Sequence, residues 1–457
     1  MERSKRKFAG HRRLEQKLPL HQRLLGGVQR SFGTTVALQA KVPKDEGSYL
    51  TNLEAFINVL NCAFGTGCLA MPRAFLDAGW LTGLIMTIVL GFFMVYTMHV
   101  VLNDINSMQK RFGVPLLSYG KSMEVAVSMG PRRFQFLAKP MHYYVDILVS
   151  LYHFGVDSIY VVFIAKILKD LGDIYFWPLD ERLYMALLLP PLILTFFIRQ
   201  LKLLKPFSLI SNLMITIAFL ITLSYLLQDL PEFSELRPFQ PLKSLPLVFG
   251  TLLFSIESIG VILTILRRMQ TPADFLGTCG VLNRGMAVVI LFYAGFGVLG
   301  YWRYGQHTAS SVLHNLPMDE ILTQLVAGFF ALGVFFSYAL SGYVTVDIIW
   351  HGYMEQKMEA GHSSKMVKCL VQIALVIASV LVAILFPDFW LLLSIVGSFC
   401  MAQLGLIFPG ILDLCVQYEE GYGPGRILLW RSMIFIAGGL AGGVAGTLHC
   451  SGFDEQP

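Results

Sequence analysis

Apolar and polar positions follow each other along this chain on a long wavelength. Eleven apolar stretches are long enough to cross a bilayer, which takes about 20 residues of helix. They fall at roughly 53–76, 79–103, 141–169, 183–199, 206–228, 245–266, 280–302, 320–350, 366–386, 389–416 and 428–449. The pattern predicts an all-α, multi-pass integral membrane protein. Residues 1–50 stand apart as a basic, polar and flexible tail with no apolar core of a signal peptide. A transmembrane domain over 51–450 and a short C-terminal tail, 451–457, complete the organisation.

Two of the stretches are interrupted near their middles. The first reads NVLNCAFGTGCLAMPRAFLDAGW, with Gly65-Thr66-Gly67 at its centre and Pro72 soon after. Unsatisfied backbone groups cost several kcal/mol in lipid, so a broken helix survives there where it lines a polar cavity. The ends of the half-helices then offer N–H and C=O groups to a charged solute. Transporters built from inverted repeats place a second break five spans later. The sixth stretch, LVFGTLLFSIESIGVILTI, carries Ser255, Glu257, Ser258 and Gly260 in an apolar run. The matched pair predicts a five-plus-five inverted repeat with one extra helix. Close helix packing is the alternative use of the glycines. The candidate substrate-binding residues are Asn61, Phe64, Gly65, Thr66 and Gly67 on the first span, and Ser255, Ile256, Glu257 and Ser258 on the sixth. Tyr160 and Ser337 join them from the third and eighth.

The third stretch carries His142, Asp146, Ser150, His153, Asp157 and Tyr160 at steps of 4, 4, 3, 4 and 3, one helical stripe. Ionisable groups at membrane depth face a cavity or a partner. Histidine titrates near neutral pH, so such a stripe suits proton transfer. His153, Asp157 and Glu257 are the proton-coupling candidates. A mouth position for His142 and Asp146, and a pairing of Asp157 with Lys166 or an eighth-span hydroxyl, are the alternatives.

Charge sets the topology. The N-terminal tail holds eleven Lys and Arg, the 103–140 loop six, and RQLKLLK three, whereas DLGDIYFWPLDER and QDLPEFSELRPFQPLK are richer in acid. The positive-inside rule puts the N-terminus in the cytosol and, with an odd span count, the C-terminus on the other side. The net charge of +5 lies mostly in this tail and short loops, so it implies no nucleic acid. Only 14% of residues are charged, about half the share of a soluble domain. The seven cysteines fall in or beside spans without zinc spacing, as small buried hydrophobes do. GFGVLG, at Gly295 to Gly300, lies inside a span and so makes no dinucleotide loop. No nucleophile–base pair, metal cluster or phosphate loop appears, and the chain is expected to be no enzyme and to need no cofactor beyond a co-transported proton. In the last span Gly439 and Gly443, and Gly442 and Gly446, stand at GxxxG spacing, which suits packing within the chain or a homo-oligomer through this helix.

The segments GTGCLAMPRAFLDAGW, FSIESIGVIL, GYWRYGQHTASSVLHNLP, FFSYALSGYVTVDII and LLLSIVGSFCMAQLGLIFPGILD together resemble the proton-coupled amino acid transporter branch of the amino acid/auxin permease family, over about residues 50–450. The resemblance implies a LeuT-like fold of eleven helices, small neutral amino acids as cargo, protons as co-substrate, and a plasma, lysosomal or vacuolar membrane. It also implies a His where Asn58 stands, Pro-Leu-Glu-Asn where Thr264-Ile265-Leu266-Arg267 stand, and a Pro at Thr345. The branch's external disulfide has no counterpart here. These departures leave open a second class, an amino-acid sensor of transporter shape.

Overall fold

The computed structural model describes residues 49–112, 118–176, 178–196, 201–256, 259–355 and 362–451. Among them the chain is helical throughout, and eight helices are long and apolar enough to cross a membrane. They correspond to the second, third, fifth and seventh to eleventh expected spans. Of the other three, the first and fourth are interrupted, and the sixth contains residues 257–258, which lie outside the described residues.

The first span starts on a capping box. The Thr51 hydroxyl accepts from the Glu54 N–H at 3.3 Å, and the Glu54 carboxylate accepts from the Thr51 N–H at 2.8 Å. The helix Asn52–Ala63 then stops, because Phe64 and Gly65 are extended, and resumes as a turn, Thr66–Leu69, and a second half, Met71–Ala78. The sixth span is described as Leu245–Ile256 and Ile259–Arg268, and the expected break at 257–258 lies outside the described residues. The fourth is broken where the sequence pattern was read as continuous: Glu181–Leu187 ends at Leu188 and Leu189–Phe196 follows. Pro190 and Pro191 are the cause, since each lacks the N–H that would continue the ladder.

The second and third spans overrun their expected limits, reaching Trp80–Phe112 and Ala138–Tyr175, and a separate helix, Tyr119–Met129, lies between them. The fifth is Leu201–Leu226, the seventh Val281–Tyr304, the eighth Ile321–Ile349, the ninth His362–Leu385 and the eleventh Ile427–Ser451. The tenth is Phe389–Val396, two π-helical turns and Phe408–Val416. Such bulges relieve the ladder next to Pro409.

The core sits where the third, eighth and fifth spans pack in series, and where the sixth lies on the tenth and eleventh. The sixth and tenth meet backbone to backbone. A Cβ on Gly397 would come within 1.8 Å of the Gly250 carbonyl oxygen. Thr251 and Ser394 share a 3.0 Å hydroxyl hydrogen bond at the same level. The glycines of the last span are used within the chain: Gly439 and Gly443 face Ala402, Gly442 faces the Phe249 ring, and Gly446 faces Ser398.

At the N-terminal side the first and sixth spans are tied together. The Leu50 N–H donates to the Arg268 carbonyl at 2.7 Å, and the Gln270 N–H donates to the Leu50 carbonyl at 3.0 Å, a parallel bridge. Asn52 adds a 3.0 Å hydrogen bond to Asp274, whose carboxylate also accepts from Thr271 at 2.8 Å.

Candidate functional site

The first break lies against the part of the sixth span that precedes residue 257. Gly67, in the turn after the first break, approaches Ser255, the penultimate residue of the sixth span's first half. A Cβ there would lie 2.6 Å from Ser255 Oγ and 2.9 Å from Ser255 Cα. Ser255 is 5% exposed and its hydroxyl donates to the Thr251 carbonyl at 2.8 Å. Thr66 and Ile256 are buried beside them. Gly65 differs: a Cβ there would meet nothing within 4 Å. The open space at the first break is therefore on the Gly65 side, and Gly67 serves the contact with Ser255 of the sixth span.

A broken helix leaves the carbonyls of its last turn without intrahelical partners. Tyr293, fully buried on the seventh span, meets this need at the first break and also reaches the sixth span. Its hydroxyl reaches the Ala63 carbonyl and, at 3.2 Å, the Ser255 carbonyl. Nothing in the sequence reading pointed to it. Its one signal was a hydroxyl in the middle of an apolar run, and aromatic residues in such runs ordinarily fill space.

Phe64 closes the first half-helix, its N–H donating to Leu60 at 2.9 Å. Its ring lies 4.8 Å from that of Phe292 and 6.1 Å from that of Phe219, an aromatic wall from the fifth and seventh spans. Asn61 is half-buried one turn earlier. Glu257 and Ser258 lie outside the described residues.

The third-span stripe divides in two. At the level of the breaks, His153 Nδ1 lies 3.2 Å from the Ser341 hydroxyl of the eighth span. The Asp157 carboxyl is buried, is also within reach of Ser341, and has one oxygen, Oδ1, without a hydrogen-bond partner among the described residues. Tyr160 lies between this carboxyl and Cys62 of the first span. Tyr338, one turn before Ser341, faces Asp157 and binds the Ser379 hydroxyl at 2.8 Å. Ser337 turns away, donating to the Gly333 carbonyl of its own helix at 3.0 Å. Thus His153, Asp157 and Tyr160 are brought to one place, while the Ser337 hydroxyl is engaged with its own backbone.

The other end of the stripe opens into a cavity of about 910 Å³, lined in part by Lys121, Glu124, His142, Asp146 and Tyr353. Asp146 accepts from the Tyr353 hydroxyl at 2.8 Å, and Lys121 pairs with Glu124 at 2.7 Å. His142 lies between the two carboxylates, at 3.5 Å and 4.0 Å. Among the described residues no group of three or more His, Cys, Asp or Glu is arranged to hold a metal ion.

Comparison with known proteins gives the same picture. A family described as "Transmembrane amino acid transporter protein" matches residues 49–451. The "Proton-coupled amino acid transporter-like protein pathetic" of Drosophila melanogaster is 32% identical over 407 residues, 88% of this chain and 85% of that protein. The "Probable amino acid transporter skat-1" of Caenorhabditis elegans is 23% identical over 393 residues, 83% of this chain and 84% of that one. Among solved structures, a Na+-coupled sialic acid symporter in a substrate-bound outward-open state superposes with a TM-score of 0.50 at 11% identity, covering 89% of this chain and 91% of that one. That likeness concerns the fold, which is LeuT-like.

Proposed function

The chain belongs to the transmembrane amino acid transporter family, and we propose that it is a secondary transporter that moves small neutral amino acids together with a proton. The observation that carries this reading is the break at Phe64 and Gly65, packed through Gly67 on Ser255 and braced by Tyr293, with open space beside Gly65. The substrate carboxylate would meet the first N–H groups of the turn Thr66–Leu69, where a helix N-terminus favours negative charge. The ammonium would meet the last carbonyls of the half-helices that Tyr293 does not occupy. From Asn61 to Gly67 no side chain is charged, so the first break offers nothing to a charged substrate side chain. The Phe64, Phe219 and Phe292 rings favour a small, apolar one.

Asn58 cannot titrate, so the proton must use other groups. The orphan oxygen of Asp157, with His153 one turn away on the same face, supports those two as its carriers. The charge pattern supports a cytosolic N-terminal tail, with 51–450 as the transport domain. Uptake of labelled glycine, alanine or proline into proteoliposomes at two external pH values tests the proposal. Saturable uptake that rises as external pH falls is expected. Binding without uptake would sink the transport reading and establish a sensor, and pH-independent uptake would sink proton coupling.

A further inference from the structure

The cavity at the far end of the third-span stripe takes no part in the substrate site. It opens where the start of the third span, the turn Trp350–Met354 after the eighth and the helix Tyr119–Met129 meet. This is the side that the charge pattern assigns to the cytosol. Its volume of about 910 Å³ falls among those of small-molecule sites, about 300–1,000 Å³. The walls are closely fitted, since a Cβ on Gly120 would collide with Asp146 Oδ1. Glu124 is buried and its charge is met by Lys121 at 2.7 Å. Asp146 differs. It is held by the Tyr353 hydroxyl at 2.8 Å and lies 3.5 Å from the His142 ring, and among the described residues no lysine or arginine pairs with it. His142 stands between the two carboxylates, with Nδ1 buried and without a hydrogen-bond partner among the described residues. The rings of Tyr143 and Tyr353 line the same cavity, 5.7 Å apart and tilted by 44°.

We infer that this cavity is a second amino-acid site, separate from the first break, which takes free amino acid from the cytosolic side by its ammonium group. A carboxylate without a cationic partner accepts charge-assisted hydrogen bonds from an ammonium, and the faces of two phenol rings attract the same charge. Lys139, exposed in the lining, supplies the opposite charge for the ligand's carboxylate. The inference rests on the amino-acid reading for the class of its ligand. Its place gives it a use. Asp146 lies seven residues before His153 on the same helical face, about 10 Å along the third span. Between the two levels the Thr345 hydroxyl of the eighth span reaches the Ser150 carbonyl at 3.5 Å. An amino acid held between Asp146 and Tyr353 joins the same two spans below that contact. The filled cavity therefore opposes their separation, and release of cargo slows where the cytosol is already rich in amino acid.

Gly352 lines the cavity, and a Cβ there would meet nothing within 4 Å, so Gly352→Cys places a thiol in it without crowding. The test is the rate at which maleimide modifies that thiol in the purified full chain, read at residue 352 by peptide mass spectrometry. Alanine at about ten times its apparent Kd should slow the modification about tenfold by occupancy alone. Ethylamine, which keeps the ammonium, should also slow it, and propionate, which keeps only the carboxylate, should not. Asp146→Asn added to Gly352→Cys should abolish the protection. Gly65→Leu, which fills the open space at the first break, should leave it intact. Loss of protection in Gly65→Leu would assign the effect to cargo at the first break and overturn the inference, as would protection by propionate or protection that survives Asp146→Asn. The readout is occupancy and not uptake. Uptake without protection therefore sinks this inference alone, and protection without uptake sinks the transport reading alone.

Discussion

Adding a single methyl at Gly67 should part the first break from the sixth span. The alanine Cβ would lie 2.6 Å from Ser255 Oγ, 3.0 Å from its Cβ and 2.9 Å from its Cα. The hydroxyl can rotate away, but the Cα belongs to the backbone. Carbon atoms in contact rest at about 3.5–4.0 Å, so the two segments must part by about 0.6–1 Å. Overpacking of this kind costs about 1–3 kcal/mol. The displacement also acts on the Tyr293 hydroxyl, which reaches a carbonyl on each side of the contact. A misplacement of about 1 Å at a site that depends on alignment lowers turnover on the order of 100-fold. Gly65→Ala is the control: its Cβ has open space and its φ of −147° is extended, so the fold is kept and only substrate affinity should fall. The assay is initial uptake of labelled glycine and alanine in proteoliposomes at matched protein density, across substrate concentrations. Gly67→Ala should lose mainly maximal rate, and Gly65→Ala mainly apparent affinity. Unchanged maximal rate in Gly67→Ala would refute the argument that the breaks work through this contact.

Tyr293→Phe keeps the ring but leaves the Ala63 and Ser255 carbonyls without their donor, so stability should fall by about 1–3 kcal/mol, read as a lower melting temperature in detergent. His153→Ala combined with Asp157→Asn should flatten the dependence of uptake on external pH while insertion is preserved, and a persisting response would move the proton to another group. Outside the spans, the Asn52 amide and then the Thr271 hydroxyl hold the Asp274 carboxyl below the usual carboxylate range. A depressed carboxylate stabilises the folded state above its ordinary value, about pH 4, and the effect is lost as pH falls through the lowered value. The tie between residue 52 and residues 271–274 should therefore loosen only in strong acid, measured by exchange at those residues, and Asp274→Asn should remove that response.

Much of this arrangement can be read from residue types alone. The first break is visible because Gly65-Thr66-Gly67 is costly in lipid unless the backbone has work to do, while the one expected after Ser255 falls at 257–258, outside the described residues. The third-span stripe is visible because helical spacing puts His153 and Asp157 on one face, and both indeed meet Ser341. Tyr293 was illegible, since its partners are carbonyls brought together from residues 63 and 255 by the fold. Ser337 misleads for a related reason: a serine on a helix can satisfy itself on the preceding turn, and spacing does not reveal which hydroxyls do so. The last-span glycines show that small residues were needed at close contacts, but only the packed chain shows that Ala402, Phe249 and Ser398 lie opposite them. Pro190 and Pro191 were in plain view, yet the surrounding apolar run concealed that they end one helix and begin another.

The parallel bridge at Leu50 carries a mechanical consequence. The half-helix Asn52–Ala63 ends at the first break, and its far end is pinned through Leu50 to Arg268 and Gln270 at the end of the sixth span. Two helices joined at their tips cannot swing separately. A helix of twelve residues is about 18 Å long, so a tilt of about 10° about the break carries its tip by about 3 Å, the width of a water molecule or an amino group. The bridge is expected to carry such a tilt from the first span to the sixth, so that side of the protein has one movement to time where unlinked helices would have two.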